Sequence, residues 1–236
     1  MAKPNIFWGM SEDAIRQKVV ATAVELLGIR ENTIDHKNQI VDVYNSQKAL
    51  PRGYALKESD PWCAAFISVV GIILGISDVI LPECSCSAMI ELYRKKGLWE
   101  ELDSYIPDPG DIVMFDWQAK KGECLGDPDH VGIVEWVRGK EIGVIDGNNG
   151  EGEVGRRTIC VEYIKIRGFC LPDYGSLVQG FTDVPTDAWY RDALARAQEL
   201  GIVEGVGNGQ FEPDKPATRA EVAAMIVRLY NKIVGE

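Results

Sequence analysis

The sequence lacks an excess of positive charge, which excludes one broad class of partner. The 236 residues carry a formal net charge of −11, and their basic residues form no stripe. Nucleic acids and anionic membranes attract basic surfaces, so we expect neither as a partner. The longest apolar run, residues 64–76, is interrupted by Ser68 and is too short to cross a bilayer, so we predict no membrane insertion.

Histidine is scarce, and the cysteines do not have the spacing of metal ligands. The chain has 2 histidines and 6 cysteines. Cys84 and Cys86 are separated by one residue rather than by the two residues of a zinc-ribbon pair. We therefore predict neither a metal ion nor another cofactor. The first residues also lack the apolar core of a secretory signal, so we expect synthesis in the cytoplasm and free thiols.

The hydrophobic pattern changes twice along the chain. In the first hundred residues it has a helical period, clearest in 11–28 and weaker in 38–46. Five short segments between 111 and 171 alternate with a period of two, as β-strands do. This order predicts an α+β fold with N-terminal helices packed on an antiparallel sheet. Two amphipathic helical segments then predict a small all-α unit.

These changes suggest boundaries for the parts of the chain. We predict a catalytic-type domain over residues 1–171, a linker over 172–180 and a small helical module over 181–236. The linker is rich in residues that favour turns.

Cys63 lies at the start of an apolar helical segment, D-P-W-C-A-A-F. Asp60 suits the N-cap and Pro61 the first helical position, which would put Cys63 in the first turn. The positive end of a helix lowers a thiol pKa and can bind an oxyanion, so Cys63 is a candidate nucleophile. A cysteine in an apolar helix is more often a packed core residue, and this alternative stays open.

A nucleophilic cysteine needs a base, and the two histidines have different settings. His36 lies in a polar segment and has the surroundings of a surface residue, whereas His130 begins a strand pattern. The next strand ends with Asp146 and Asn148, which lie two residues apart and therefore on one face. Either side chain could orient the imidazole. His130 could equally be a solvated or capping residue.

Four segments occur in the order seen in CHAP-type peptidoglycan hydrolases: D-P-W-C-A-A-F, P-D-P-G-D-I-V-M-F-D-W, D-H-V-G-I-V-E-W-V and V-I-D-G-N-N-G-E-G-E-V-G-R-R-T. The chain resembles these papain-like amidases and peptidases, common in phage endolysins, over about residues 11–172. The resemblance implies Cys63 as nucleophile, His130 as base and either Asp146 or Asn148 as the third member.

The resemblance to CHAP-type hydrolases also raises the questions of which residues shape the substrate groove and how the chain differs from related families. Trp62 and Trp117 are candidates for shaping the substrate groove, or else core aromatics. The related NlpC/P60 group usually has a second histidine as third member, and no histidine follows His130. Residues 51–60 lack the Asp-rich calcium loop of some relatives, so the prediction of no metal stands.

Residues 181–230 resemble a single S-layer homology (SLH) module, with F-T-D-V, G-I-V-E-G and T-R-A-E as landmarks. This resemblance implies binding to an anionic secondary polymer of Gram-positive walls. Arg219 is the candidate for a carboxylate because its planar guanidinium suits one. Asp183 and Trp189 are further candidates, or structural residues. Such modules usually occur in threes, so we expect a homotrimer that brings three single modules together.

The two resemblances together imply an endolysin-like peptidoglycan hydrolase that acts on the wall after release from the cytoplasm. The bond cut is either the N-acetylmuramoyl-L-alanine amide or a peptide bond of the stem or cross-bridge. The alternative is a non-catalytic, wall-anchored protein with a degenerate hydrolase fold. Intact Cys63, His130 and Asp146 or Asn148 favour the enzyme.

Overall fold

The structure, a computed structural model, describes residues 6–102, 104–120, 126–178 and 180–234. Cys124 lies outside the described residues. The described residues form two compact units, one of residues 16–173 and one that joins residues 6–15 to residues 174–234. The N-terminal segment therefore groups with the C-terminal residues and not with residues 16–173, which differs from the predicted domain of residues 1–171.

The helices follow the predicted order. The described chain contains α1 (Glu12–Glu25), a π-helix (His36–Val41) that runs into α2 (Asp42–Asn45), α3 (Cys63–Leu74), α4 (Cys86–Lys95), α5 (Arg191–Glu199) and α6 (Arg219–Val234). Ser11 Oγ accepts a hydrogen bond from the Ala14 N–H at 3.3 Å, as a helix cap does. The weak helical pattern of 38–46 corresponds to the π-helix and α2.

A six-stranded antiparallel sheet lies in the larger unit. Its strands are β1 (Trp99–Glu100), β2 (Ile112–Phe115), β3 (His130–Arg138), β4 (Glu141–Asp146), β5 (Gly155–Cys160) and β6 (Ile166–Cys170). They lie in the order β1-β6-β2-β3-β4-β5. The α+β prediction and its five strands are confirmed; β1 has two residues, too few to show a period. Helix α3 packs on β3 and β4 and so faces the centre of the sheet.

The smaller unit is built around a compact apolar cluster that includes an N-terminal tryptophan. The cluster consists of Trp8, Phe181, Val184, Leu194, Ala195 and Val203. Trp8 is 3% exposed, and its Nε1 donates to Gln198 Oε1 at 2.8 Å. A Cβ on Gly180 would come within 2.4 Å of the Trp8 ring, so only glycine fits at this position. We refer to residues 6–10 as the N-terminal strap.

No helix among the described residues is both long enough and apolar enough to span a bilayer.

Candidate active site

Cys63 is the first residue of α3, and Trp62 holds the N-cap position. The prediction that Asp60 caps this helix is wrong. Asp60 Oδ2 instead accepts hydrogen bonds from the Lys57 N–H at 2.9 Å and the Tyr54 hydroxyl at 2.8 Å. The carboxylate thus closes the preceding turn, as aspartates commonly do. The helix starts later than predicted, which leaves the Cys63 sulfur beside the free N–H groups of the first turn.

His130 begins β3, and Asp146 ends the neighbouring strand β4. His130 Nε2 lies 2.6 Å from Asp146 Oδ2. Both side chains are buried, at 6% and 0% exposure. Because Asp146 accepts from Nε2–H, Nδ1 is the ring nitrogen left for the cysteine. Asn148 follows in the turn with φ of +51° and lines the pocket beside His130. Of the two candidates, Asp146 contacts the imidazole.

The charges of the cysteine and histidine depend on each other. A hydrogen bond from Cys86 and another from His130, against the opposing effect of burial, lower the pKa of Cys63 to about 5. Burial lowers the pKa of His130, but its hydrogen bonds to Asp146 and Cys63 raise it to about 9 overall. Between these values the site holds a thiolate beside an imidazolium.

Arg157 on β5 is a site residue that sequence reasoning missed. Its Nη2 bonds to Asp146 Oδ2, the oxygen that also faces His130. Its guanidinium carbon lies 5.2 Å from the ring centre of Trp117, within cation–π range. Val144 pairs with Arg157 across β4 and β5, so Asp146 is its diagonal neighbour. This register requires the sheet, and the sequence alone does not supply it.

Cys86 is the second residue that was missed. It is the first residue of α4, and its sulfur lies 3.8 Å from the Cys63 sulfur. The hydrogen bond to Cys63, followed by burial, raises the pKa of the Cys86 thiol well above its usual value. Cys86 therefore stays a thiol that can donate to the Cys63 thiolate. Ser85 caps the helix and marks its start, but no local pattern shows that α3 and α4 bring their first residues together.

Two further expectations about aromatic and histidine residues need correction. Trp62 is fully buried, so its ring cannot shape a substrate groove and instead packs in the core. His36 is also fully buried, with its ring centre 4.7 Å from that of Trp62, so it is no surface residue. Its polar sequence neighbours point outward, while packing draws its ring inward, and burial lowers its pKa. Trp117 is half-buried and lines the pocket beside His130.

Two grooves reach the reacting side chains, one at Cys63 and the other at His130. The groove on the cysteine side is lined by Arg52, Tyr54, Leu56, Asp60, Pro61, Cys63, Cys84, Ser85, Cys86, Ser87, Pro128 and Asp129. The groove on the histidine side is lined by Trp117, His130, Asn148, Asn149, Gly150 and Arg157. Among the described residues, no three histidine, cysteine or acidic side chains are grouped to hold a metal ion.

The three candidate residues for wall-polymer binding have different surroundings. Asp183 accepts hydrogen bonds from the backbone N–H groups of Phe211 and Glu212, at 2.9 and 2.7 Å. Its carboxylate therefore ties the module together, which matches the structural alternative. Trp189 is 93% exposed, and Arg219 is exposed at the first position of α6. Both are open to solvent and available to a ligand.

Family models match two separate segments of the chain. The model described as "CHAP domain" matches residues 55–148, and the model described as "S-layer homology domain" matches residues 180–223. The first segment contains Cys63, His130, Asp146 and Asn148. The second contains Asp183, Trp189 and Arg219.

Curated relatives share limited segments with this chain. The chain is 51% identical over 51 residues to the surface-layer 125 kDa protein of Lysinibacillus sphaericus, which covers 22% of this chain and 4% of that protein. It is 30% identical over 129 residues to endo-1,4-beta-xylanase A of Thermoanaerobacterium saccharolyticum, covering 54% and 10%. It is 45% identical over 51 residues to S-layer protein sap of Bacillus anthracis, covering 22% and 6%. The chain thus spans a tenth or less of the length of these relatives.

A solved structure, "The crystal structure of Ly7917 with the hydrolyzing product of MDP", is similar with 16% identity and a TM-score of 0.39, over 66% of this chain and 62% of that chain. A second structure, "The crystal structure of Ly7917", has 21% identity and a TM-score of 0.31, over 47% and 53%. The two segment matches identify the parts: the chain contains a CHAP domain over residues 55–148 and an S-layer homology domain over residues 180–223.

Proposed function

We propose that the chain is a cysteine-dependent peptidoglycan hydrolase that its S-layer homology domain anchors to the cell wall. A CHAP domain implies peptidoglycan hydrolysis, and an S-layer homology domain implies attachment to the wall. The observation that carries the proposal is the Cys63–His130–Asp146 arrangement within the CHAP segment. The buried pair His130 and Asp146, 2.6 Å apart, faces a helix that begins with the cysteine. A catalytic triad needs this order of nucleophile, base and orienting carboxylate.

The first half of the reaction forms an acyl-enzyme. The Cys63 thiolate attacks the amide carbonyl carbon, and a C–S bond forms as the carbonyl electrons move to oxygen. The N–H groups of the first turn of α3 stabilise that oxyanion. His130 donates its Nδ1 proton to the amide nitrogen, the C–N bond breaks, and the amine leaves. Asp146 holds the ring and stabilises the imidazolium before the transfer.

The second half releases the acyl group with one water molecule. Neutral His130 takes a proton from water, and the resulting hydroxide attacks the thioester carbonyl. The C–S bond then breaks, which frees a carboxylic acid and returns the thiolate and imidazolium. The net reaction is amide plus water to acid plus amine. Arg157 touches Asp146 rather than the reacting atoms, so it is a positioning residue.

The two grooves divide the substrate at the bond that is cut. Because His130 protonates the leaving nitrogen, the amine side of the substrate lies in the groove with Trp117, Asn148 and Arg157. The acyl side lies in the groove that contains Cys63. For an N-acetylmuramoyl-L-alanine amidase the acyl side is the sugar-linked lactyl group. For an endopeptidase it is part of the stem or cross-bridge peptide. We propose one of these two activities.

The S-layer homology domain supplies the second half of the function. We infer that it binds an anionic secondary polymer of the wall, with Arg219 on a carboxylate and Trp189 as a further contact. A guanidinium forms paired, charge-assisted hydrogen bonds with carboxylates. The exposure of both side chains supports this role, whereas Asp183 supports the module from within. Binding to the wall would keep the hydrolase close to its substrate.

We also propose that three chains associate through their S-layer homology domains. The family model matches one such stretch, while helix α6 leaves a row of apolar side chains uncovered. Ile226, Tyr230 and Ile233 are 61%, 60% and 74% exposed and are spaced three and four residues apart. Residues at this spacing lie on one side of a helix. Copies of the same helix would cover these apolar side chains in one another.

The biological role that we propose for this wall hydrolase is endolysin-like lysis.

The experiment that tests the hydrolase digests purified Gram-positive walls and identifies the released fragments by mass spectrometry. The native chain is compared with Cys63→Ala and with Cys160→Ala, a matched change at an exposed cysteine at the end of β5. We expect Cys63→Ala to lose activity on the order of 10⁶-fold, as loss of a nucleophile does, and Cys160→Ala to keep it.

The fragments decide between the two bonds. New amino-terminal alanines and peptide-free glycan indicate the amidase, and new ends within the stem or cross-bridge indicate the endopeptidase. Walls that bind the native chain but release no fragments would contradict the enzyme and favour an anchoring protein. Cleavage that persists in Cys63→Ala would contradict the assignment of the nucleophile.

A further inference from the structure

Two thiols from different helices meet at the proposed nucleophile. The sulfurs of Cys63 and Cys86 are 3.8 Å apart, and the side chains are 6% and 8% exposed. Each cysteine is the first residue of its helix, α3 for Cys63 and α4 for Cys86. A disulfide has an S–S bond of about 2.05 Å. A small approach of two side chains would therefore join them.

Small molecules have a route to this pair. Cys63 and Cys86 both line the groove on the cysteine side, together with the partly exposed Cys84. Exposed polar groups such as Arg52 line the same groove, so it is open to solvent. Oxidation begins at the more nucleophilic sulfur, and a thiolate reacts where a thiol does not. Cys63 is the thiolate of the pair, and Cys86 is held as a thiol beside it.

We propose that Cys86 is a resolving thiol, which captures an oxidised Cys63 as a Cys63–Cys86 disulfide and so switches the hydrolase off reversibly. The oxidant is a peroxide. The Cys63 thiolate attacks one peroxide oxygen, the O–O bond breaks, and with one proton the products are a sulfenic acid and water. Once Cys63 is a sulfenic acid, it no longer carries the negative charge that keeps the proton on Cys86. Cys86 then releases its proton, its thiolate attacks the sulfenic sulfur, and the departing hydroxyl takes up that proton and leaves as a second water. Two thiols lose two electrons, and the peroxide gains them.

Cys86 also protects the nucleophile from permanent loss. A sulfenic acid without a nearby thiol is oxidised further to a sulfinic acid, which small thiols cannot reduce. The disulfide is instead reduced by a dithiol through two exchange steps, and the dithiol becomes a cyclic disulfide. The inhibitory effect rests on the proposed function, because it needs a catalytic Cys63. The disulfide itself does not.

The experiment exposes the full, reduced chain to hydrogen peroxide and measures two readouts. Free thiols are alkylated and cross-linked peptides are mapped by mass spectrometry, and wall cleavage is measured before and after dithiothreitol. The native chain is compared with Cys86→Ser and with Cys84→Ser, which removes the third thiol of the same groove. Each variant is normalised to its own untreated activity.

We expect the native chain and Cys84→Ser to form the Cys63–Cys86 cross-link, lose cleavage and regain it with dithiothreitol. In Cys86→Ser we expect a Cys63 sulfinic acid and a recovered activity about tenfold below that of the native chain. A Cys63–Cys84 cross-link, unlinked Cys63 and Cys86 after oxidation, or equal recovery of both chains would overturn the proposal. A chain that forms the cross-link but never cleaves walls would support the dithiol pair and contradict the hydrolase.

Discussion

At the scale of single residues, Cys63 and His130 set the pH range in which the proposed hydrolase works. We expect kcat/KM to follow a bell-shaped pH profile with limbs near pH 5 and pH 9, the pKa values of Cys63 and His130. Below the lower limb Cys63 gains a proton and loses its nucleophilic charge. Above the upper limb His130 loses the proton that the leaving amine needs.

The measurement is the initial rate of cleavage of a soluble peptidoglycan fragment across this range. Iodoacetamide labelling of Cys63 provides an independent reading of the lower limb. A rate that keeps rising from pH 6 to pH 9, as an ordinary thiol with a pKa of about 8.5 would give, contradicts the ion pair.

Arg157 has a testable effect on that profile. In Arg157→Ala we expect kcat to fall by up to about a hundredfold, because Asp146 loses one of its two partners and the imidazole loses its fixed orientation. The upper limb should also move to higher pH, since removal of a nearby positive charge favours the imidazolium. A residue with a merely structural role would not shift this limb.

Arg156→Ala is the matched control for Arg157. Arg156 is the neighbour in the same strand, and its guanidinium binds Glu135 with distances of 2.7 to 2.9 Å. It lies away from Asp146, so the pH profile should keep the limbs of the native chain. If both variants shift alike, the effect belongs to the strand and not to Arg157.

At the scale of secondary-structure elements, the N-terminal strap contributes a core residue to the smaller unit. Trp8→Ala should destabilise that unit by about 3–5 kcal/mol, the usual cost of removing a buried tryptophan side chain. The substitution also removes the Nε1 bond to Gln198, 2.8 Å long. We expect weaker binding of the chain to walls, because the domain that holds it unfolds more readily.

Differential scanning calorimetry of the full chain measures this effect, and Trp189→Ala is the control. Trp189 belongs to the same unit but is 93% exposed, so its loss should leave the unfolding temperature nearly unchanged. Equal unfolding temperatures for Trp8→Ala and the native chain would mean that the strap adds no stability.

Elements also show what the sequence could and could not predict. The helix and strand periods predicted α3, β3 and β4. They also located Cys63, His130 and Asp146, because each of these residues lies at one end of its element, next to residues that favour turns. The partners Cys86 and Arg157 come from α4 and β5, whose register against the site is set by non-local packing. The prediction that His36 lies at the surface failed for the same reason: its sequence neighbours are polar, but its ring packs on Trp62.

At the scale of the whole molecule, the uncovered face of α6 predicts the oligomeric state. We expect light scattering to give three times the chain mass for the native chain. The double substitution Ile226→Glu with Ile233→Glu should give the mass of a single chain, because burying the two new carboxylates in an interface would cost free energy. Lys232→Glu is the control: it changes an exposed residue of α6 that does not share the spacing of the apolar row. A native chain of single mass would contradict the trimer.

The buried Trp8 has a consequence for a chain that a protease has cut. The segments before and after the CHAP-containing unit build one core, so that unit is inserted within the sequence of the other. A cut between residues 173 and 174 would separate the backbone into two polypeptides. The first would still carry the strap, and Trp8 would still fill the core formed by the second. Nicked molecules would therefore stay together until they are denatured, and the part that carries the S-layer homology domain would keep the CHAP-containing part.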